Sequence, residues 1–277
     1  MVKFYSDQGK TAKKLLSDDF VADHKVSVKT KTASGVTFEV SEVQSCKTGD
    51  LAGEVSVKYL VFGHALTTKF GTGGVASTEA TVEKPGKIDG LKVILNGSMS
   101  ESSKAATAKA EYVKDRVAFT LFSDLMTKKF TSSVTVGHEG ITLGGEASYD
   151  VASKEVKDYS GAISYTDGKE AEVSFSLLDK LQTAKVTYSH AVRPDLSFGA
   201  EFILKRGDSS KVLTIGTQYA VDKLTTLKGK INSSGLLSLA YIQRFPSNMT
   251  MKLSSTTNVN SLESSAPRIG VHLAYEA

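Results

Sequence analysis

Residues 170–177 read Glu170-Ala171-Glu172-Val173-Ser174-Phe175-Ser176-Leu177. Every second side chain is apolar, and the residues between are acids or serines. Successive side chains of a strand point to opposite faces, so this stretch is a strand with one apolar and one polar face. The same period recurs on both sides of it. Val26, Val28 and Thr30 alternate with Lys25, Ser27, Lys29 and Lys31, and Val36, Phe38 and Val40 with Thr37, Glu39 and Ser41. Val55, Val57, Tyr59 and Val61 alternate with Glu54, Ser56 and Lys58, and Ala184, Val186 and Tyr188 with Lys185, Thr187 and Ser189. Met249, Met251 and Leu253 alternate with Thr250 and Lys252, and Ile269, Val271, Leu273 and Tyr275 carry the pattern almost to the C-terminus.

Turn signals punctuate these runs: Ser34-Gly35, Thr48-Gly49-Asp50, Asp167-Gly168, Arg206-Gly207-Asp208 and Ser233-Ser234-Gly235. Their spacing, roughly 10–15 residues, suits transmembrane strands of about ten residues. Dividing the roughly 250 residues after the first segment by about 13 gives roughly 19 strands. Ser254–Pro267 is rich in Ser, Thr and Asn and reads as a frayed strand plus a loop. No composition shift marks a linker or second domain.

Composition agrees. The 277 residues include 23 Gly, 4 Pro and no Trp, and hydrophobic residues make up 40%. That mixture favours many short strands over a helical core. The net charge of +4 is spread along the chain, without the Lys/Arg block of a nucleic-acid tail. The single cysteine, Cys46, cannot form an intramolecular disulfide and reads as a small half-buried residue. The start, Met1-Val2-Lys3-Phe4-Tyr5-Ser6-Asp7, lacks the apolar stretch of a secretory signal. No run of about 18 apolar residues exists, so a membrane could be spanned only by a closed barrel.

Residues 1–22 differ from the rest. Ala12, Leu15 and Leu16 fall at helical spacing, with Tyr5 and Phe20 extending that face, and Lys10, Lys13, Lys14 and Asp18 beside it. Ser6 or Asp7 is placed to cap a short amphipathic helix, and Gly9 weakens or bends its first turn. Residues 23–277 carry the strands.

A soluble β-sandwich alternates too, with its polar face outward. Three features favour a membrane barrel: the alternation runs nearly the whole chain, the apolar sets are modest and mixed with Ala, Gly and Thr, and no single sandwich absorbs this many strands. In a barrel of this size the polar face lines a water channel. The inward set then includes Lys25, Lys29, Lys31, Lys58, Lys69, Lys92, Lys109, Lys185, Lys228, Lys230 and Lys252. Inward acids, among them Glu39, Glu54, Glu111, Glu172 and Glu201, count about half as many. A positive lumen concentrates anions, and rings of Lys select for anions and phosphates.

Catalytic and metal signatures are missing. His24, His64, His138, His190 and His272 form no HExxH or Cys/His pattern, and there is no GxSxG or Walker A. Gly71-Thr72-Gly73-Gly74-Val75-Ala76 fits a degenerate dinucleotide fingerprint, but a strand follows it, so it reads as a glycine-rich turn. The expectation is a non-enzyme without cofactors.

Four stretches resemble the voltage-dependent anion channel family, the eukaryotic mitochondrial porins. They are Tyr5 to Lys13, Lys29-Thr30-Lys31, Gly90-Leu91-Lys92, and Tyr219 to Tyr241, where Tyr219, Asp222, Thr225, Gly229-Lys230-Ile231-Asn232-Ser233 and Ser238-Leu239-Ala240-Tyr241 keep the signature's gaps. The resemblance covers essentially the whole chain. It implies an all-β, 19-stranded transmembrane β-barrel with the N-terminal α-helix inside the pore, and the division above is not independent of that count. It implies a parallel pairing of the first and last strands to close the odd-numbered barrel. It also implies a voltage-gated, weakly anion-selective pore passing ATP, ADP and phosphate across the mitochondrial outer membrane. Lys10, Lys13 and Lys14 fall on the helix, and Lys92 and Lys230 on lumen positions where nucleotides touch. The implied partners are outer-membrane lipid, nucleotides and small anions in transit, further copies of the chain, and kinase or other cytosolic docking proteins. Three residues depart from the family. Thr68 stands where some members carry a membrane-facing Glu tied to kinase docking. Asp18 replaces a basic residue, and Lys223 a small one. The alternative within the same barrel superfamily is the outer-membrane protein-import channel; the short start and the Tyr219–Tyr241 match argue against it.

Overall fold

A computed structural model of the chain describes residues 2–168, 170–207, 211–261 and 267–277. Nineteen strands follow a short N-terminal helix, α1 (Lys10–Ser17). They are β1 (His24–Lys31), β2 (Thr37–Gln44), β3 (Leu51–Val61), β4 (His64–Gly71), β5 (Val75–Glu83) and β6 (Leu91–Met99). Next come β7 (Lys104–Lys114), β8 (Val117–Asp124), β9 (Lys129–His138), β10 (Ile141–Asp150), β11 (Glu155–Asp167), β12 (Ala171–Leu178) and β13 (Thr183–Arg193). The last are β14 (Leu196–Lys205), β15 (Lys211–Ala220), β16 (Thr225–Asn232), β17 (Leu236–Arg244), β18 (Met249–Asn258) and β19 (Arg268–Glu276).

Each strand pairs antiparallel with its sequence neighbours, and β1 pairs parallel with β19, so the sheet closes on itself. The parallel seam sets Lys25 opposite His272 and Lys29 opposite Glu276, and a Lys29–Glu276 ion pair of 3.2 Å bridges it. Closure leaves no open edge, the condition a sheet must meet in hydrocarbon.

The register keeps one parity all the way round. Glu172 faces Ser189, Thr187 faces Glu201, Gly199 faces Gly216, Gln218 faces Lys228, and Ile242 faces Lys252. Directly opposed residues share a face, so one polar set lines the interior. The other set is apolar and exposed, with Val26, Phe38, Val134, Leu143, Ile163 and Leu239 among its members. A strand of about ten residues, tilted roughly 45°, climbs about 23 Å, which matches the apolar thickness of a bilayer. Six of the ten tyrosines, Tyr59, Tyr112, Tyr165, Tyr219, Tyr241 and Tyr275, lie in the last four residues of odd-numbered strands, toward one end of the barrel. Amphipathic rings concentrate at such a membrane–water boundary.

The turns fall where the glycines forecast them. Ser34-Gly35, Thr48-Gly49-Asp50, Ser233-Ser234-Gly235 and Thr72-Gly73-Gly74 lie between strands, and Asp167-Gly168 begins at the last residue of β11. Asp222 closes the β15–β16 turn by accepting the N–H groups of Leu224 and Thr225, both at 2.7 Å, and these bonds hold its carboxyl below the ordinary carboxylate range. Asp208, and 262–266 within Ser254–Pro267, lie outside the described residues.

Three expectations change. Ser254 to Asn258 is not frayed: it completes β18 and pairs with both neighbours. Ser254, Thr256 and Asn258 take the lumen face, where polar side chains meet water and propensity carries little weight, and Ser255 and Thr257 take the outer face. Cys46 is exposed, not half-buried, because it sits in the β2–β3 turn at the barrel mouth. The helix neither starts at Ser6 or Asp7 nor reaches Phe20. A 3-10 turn covers Tyr5–Asp7, Gly9 takes a left-handed conformation (φ 68°) without a side-chain cap, and only Lys10–Ser17 is α-helical.

Candidate functional site: the lumen and its helix

α1 lies inside the barrel against β13, β14 and β15. Ala12, Leu15 and Leu16, at 2%, 6% and 5% exposure, are its contact face. The lumen is aqueous, so covering them is a hydrophobic gain that lipid-facing residues do not receive.

Inward glycines mark the track of the N-terminal segment. A Cβ on Gly137 would stand 2.9 Å from Val2, one on Gly144 3.0 Å from Tyr5, one on Gly199 3.1 Å from Leu15, and one on Gly216 2.7 Å from Leu16. Gly199 and Gly216 face each other on β14 and β15 and form the flat patch under the two leucines. Inward glycines within strands are the sequence signal for such close approach, one that an apolar/polar alternation passes over because glycine belongs to neither set.

The two ends of α1 meet opposite charges. At its start the carboxylate of Glu172 accepts the Gly9 N–H at 3.1 Å and the Thr11 hydroxyl, and pairs with Lys3 at 2.9 Å. At its end Lys228 donates to the carbonyls of Lys14 (3.2 Å) and Asp18 (3.0 Å) and to Asp19 (3.0 Å). Lys230 donates to the Leu16 carbonyl at 2.7 Å and lies 4.4 Å from the centre of the Phe20 ring. Lys252 pairs with Asp19 at 2.7 Å. Cations at a helix C-terminus satisfy its free carbonyls and oppose its negative pole.

Every strand lysine named from the sequence faces the lumen by register: Lys25, Lys29, Lys31, Lys58, Lys69, Lys92, Lys109, Lys185, Lys228, Lys230 and Lys252. Their surroundings differ. Lys69 pairs with Glu54 at 3.0 Å, Lys109 with Glu111 at 2.5 Å and Lys185 with Glu201 at 2.5 Å. Lys228, Lys230 and Lys252 hold the helix end. Among the described residues, Lys25, Lys31, Lys58 and Lys92 carry no ion pair, and Lys13 and Lys14 stand exposed on the open side of α1. Lys10 pairs with Asp7 at 2.7 Å.

The inward acids are more numerous than half the bases. Glu79, Glu83, Asp124, Glu146, Asp150, Asp158 and Glu276 join the five expected, while Lys129, Lys205, Arg244 and Arg268 join the bases. Parity assigns all of them, but several lie in runs whose alternation Ala, Gly or a turn obscures. The positive excess of the lumen is therefore small. Arg244 and Lys228 border a space of about 730 Å³ beside the helix, together with Lys10, Lys14 and Gln218.

A closed, apolar-skinned barrel with a charged aqueous interior is a transmembrane pore. Residues 3–270 match the model of the eukaryotic porin family. The chain belongs to that family. It is 26% identical to "Mitochondrial outer membrane protein porin 4" of Arabidopsis thaliana, over 98% of this chain and 96% of that one. Against "Mitochondrial outer membrane protein porin" of Candida albicans it is 28% identical, over 99% and 98%. Against "Voltage-dependent anion-selective channel" of Drosophila melanogaster it is 26% identical, over 99% and 98%. Among solved structures, a mutant of the Rh. blastica porin superposes with a TM-score of 0.52 and 10% identity, covering 79% of this chain and 88% of that one, a likeness of fold alone.

Proposed function

We propose that this chain is a voltage-gated, weakly anion-selective pore of the mitochondrial outer membrane that passes small metabolites, including ATP, ADP and phosphate. The observation that carries the reading is the closed barrel with a slight excess of inward bases. A large excess would bind anions and hold them; a small one raises their local concentration and still lets them leave. Family membership and full-length relatives named as outer-membrane porins support the organelle. No enzymatic role belongs to this reading.

Nucleotides and small anions touch the cations left open to the stream: Lys13, Lys14, Lys31, Lys58 and Lys92, with Lys10 and Arg244 beside them. Lys228, Lys230 and Lys252 act on anions through the helix they hold. The apolar skin takes outer-membrane lipid as its partner. Kinase docking through a fourth-strand acid is not part of the reading, because that lipid-facing position is Thr68. Reconstitution into a planar bilayer with a salt gradient tests it. Large steps and a reversal potential favouring chloride are expected. A protein that inserts and prefers cations strongly refutes the proposal.

A further inference from the structure

Glu172 lies on the lumen face of β12, yet its side chain is only 4% exposed. A carboxylate leaves water at high cost unless charges and hydrogen bonds replace its hydration. Here one short segment supplies the replacement: the Lys3 ammonium, the Gly9 N–H and the Thr11 hydroxyl. The wall beneath is shaped to admit it. Ser174 and Thr187 bond each other at 2.6 Å, and a Cβ on Gly9 would collide with both hydroxyls at 2.6 Å. Only a glycine reaches this depth, and that depth puts its N–H against Glu172.

The opposite end of α1 meets Lys228 and Lys230. The positive pole of the helix therefore faces the acid and the negative pole faces the lysines. Turned end for end, both contacts would be repulsive. The lysines hold the end of the segment next to the barrel's first strand, where the chain is tethered anyway. Glu172 holds the end remote from that strand, through Lys3, Gly9 and Thr11.

We propose that Glu172 is the positioning residue that fixes the depth and direction of the N-terminal helix in the lumen. Through that placement it sets which helix lysines meet the permeant stream. The conductance part of this inference rests on the pore reading above; the placement part does not.

The test uses the full chain in liposomes, carrying Cys46→Ser and Ala12→Cys. Ala12 is 2% exposed against the wall, so a small charged methanethiosulfonate reagent reaches position 12 only when the helix lifts. Glu172→Ala is expected to raise the modification rate by on the order of tenfold or more, the worth of lost charged hydrogen bonds. Glu172→Gln keeps a carbonyl acceptor and raises it less. Thr11→Val raises the rate in the parent but adds little on top of Glu172→Ala, because the two act through one contact. An unchanged rate in Glu172→Ala, or full multiplication of the two effects, overturns the proposal. Should Glu172→Ala fail to fold, Lys3→Met with Thr11→Val leaves the wall intact and must still raise the rate; if it does not, the proposal falls. Bilayer records of Glu172→Ala should show added open-state fluctuations. Channels that reject anions while the thiol result holds would sink the pore reading and leave the anchor standing.

Discussion

Truncating both helix leucines, Leu15→Ala with Leu16→Ala, should free the helix and spare the barrel. Each side chain is almost fully covered, Leu15 by the Gly199 notch and Leu16 by Gly216. Removing three buried carbons from each costs about 2 kcal/mol at roughly 0.8 kcal/mol per methylene. Lumen water can enter the space left behind, so no large cavity penalty is added. The pair therefore loses about 4 kcal/mol of docking energy, or about a thousandfold in the docked population. An eight-residue helix does not persist alone in water, so undocking unfolds it. Amide hydrogen exchange in detergent, read by mass spectrometry, should then speed up at 12–17 by two to three orders of magnitude, on the order of the docking loss. Exchange in β13 to β15 should stay slow, because those amides belong to the closed ladder. Unchanged exchange at 12–17 beside an intact barrel would refute the docking argument. Equal acceleration in the strands would show that the helix is part of the barrel's own stability.

Three further outcomes follow from face and charge. Thr67→Lys should be tolerated and Thr68→Lys should impair insertion by about 2–4 kcal/mol, since neighbouring residues of β4 face water and lipid respectively; equal folding yields into vesicles would contradict the register. Lys92→Glu should lower the anion preference markedly, because Lys92 lies between Glu83 and Glu111 and the change puts three acids side by side; a reversal potential that does not move would exclude Lys92 from the anion path. Lys228→Met should cost the helix about 2–3 kcal/mol, well short of a stranded buried charge, because Asp19 keeps Lys252 at 2.7 Å; exchange confined to the last turn of α1 would report it, and general unfolding would count against it.

Much of the barrel was legible in single strands. In 170–177 the apolar and polar sets are unmixed, and the structure assigns them to lipid and lumen as read. β18 was harder. Ser254, Ser255, Thr256 and Thr257 contrast little with one another, so period two vanishes although the ladder does not. The acids were undercounted for a related reason: Glu146 and Asp158 lie near glycines and a register shift between β10 and β11 that break the visible period.

The site divides in the same way. That lysines line the lumen was readable, because parity is a local property. That Lys228, Lys230 and Lys252 spend their charge on the helix was not, because their partners lie more than 200 residues away in sequence. Alternation alone determined that each strand has a wet and a dry face, and the absence of a long apolar run determined that a membrane span must be a closed sheet. Which face meets lipid, how the odd strand closes against β1, and where the helix comes to rest were decided only by the tertiary structure. Those depend on registers summed around nineteen strands, on glycines brought opposite one another, and on Glu172 and the lysines meeting the two poles of one helix across the lumen.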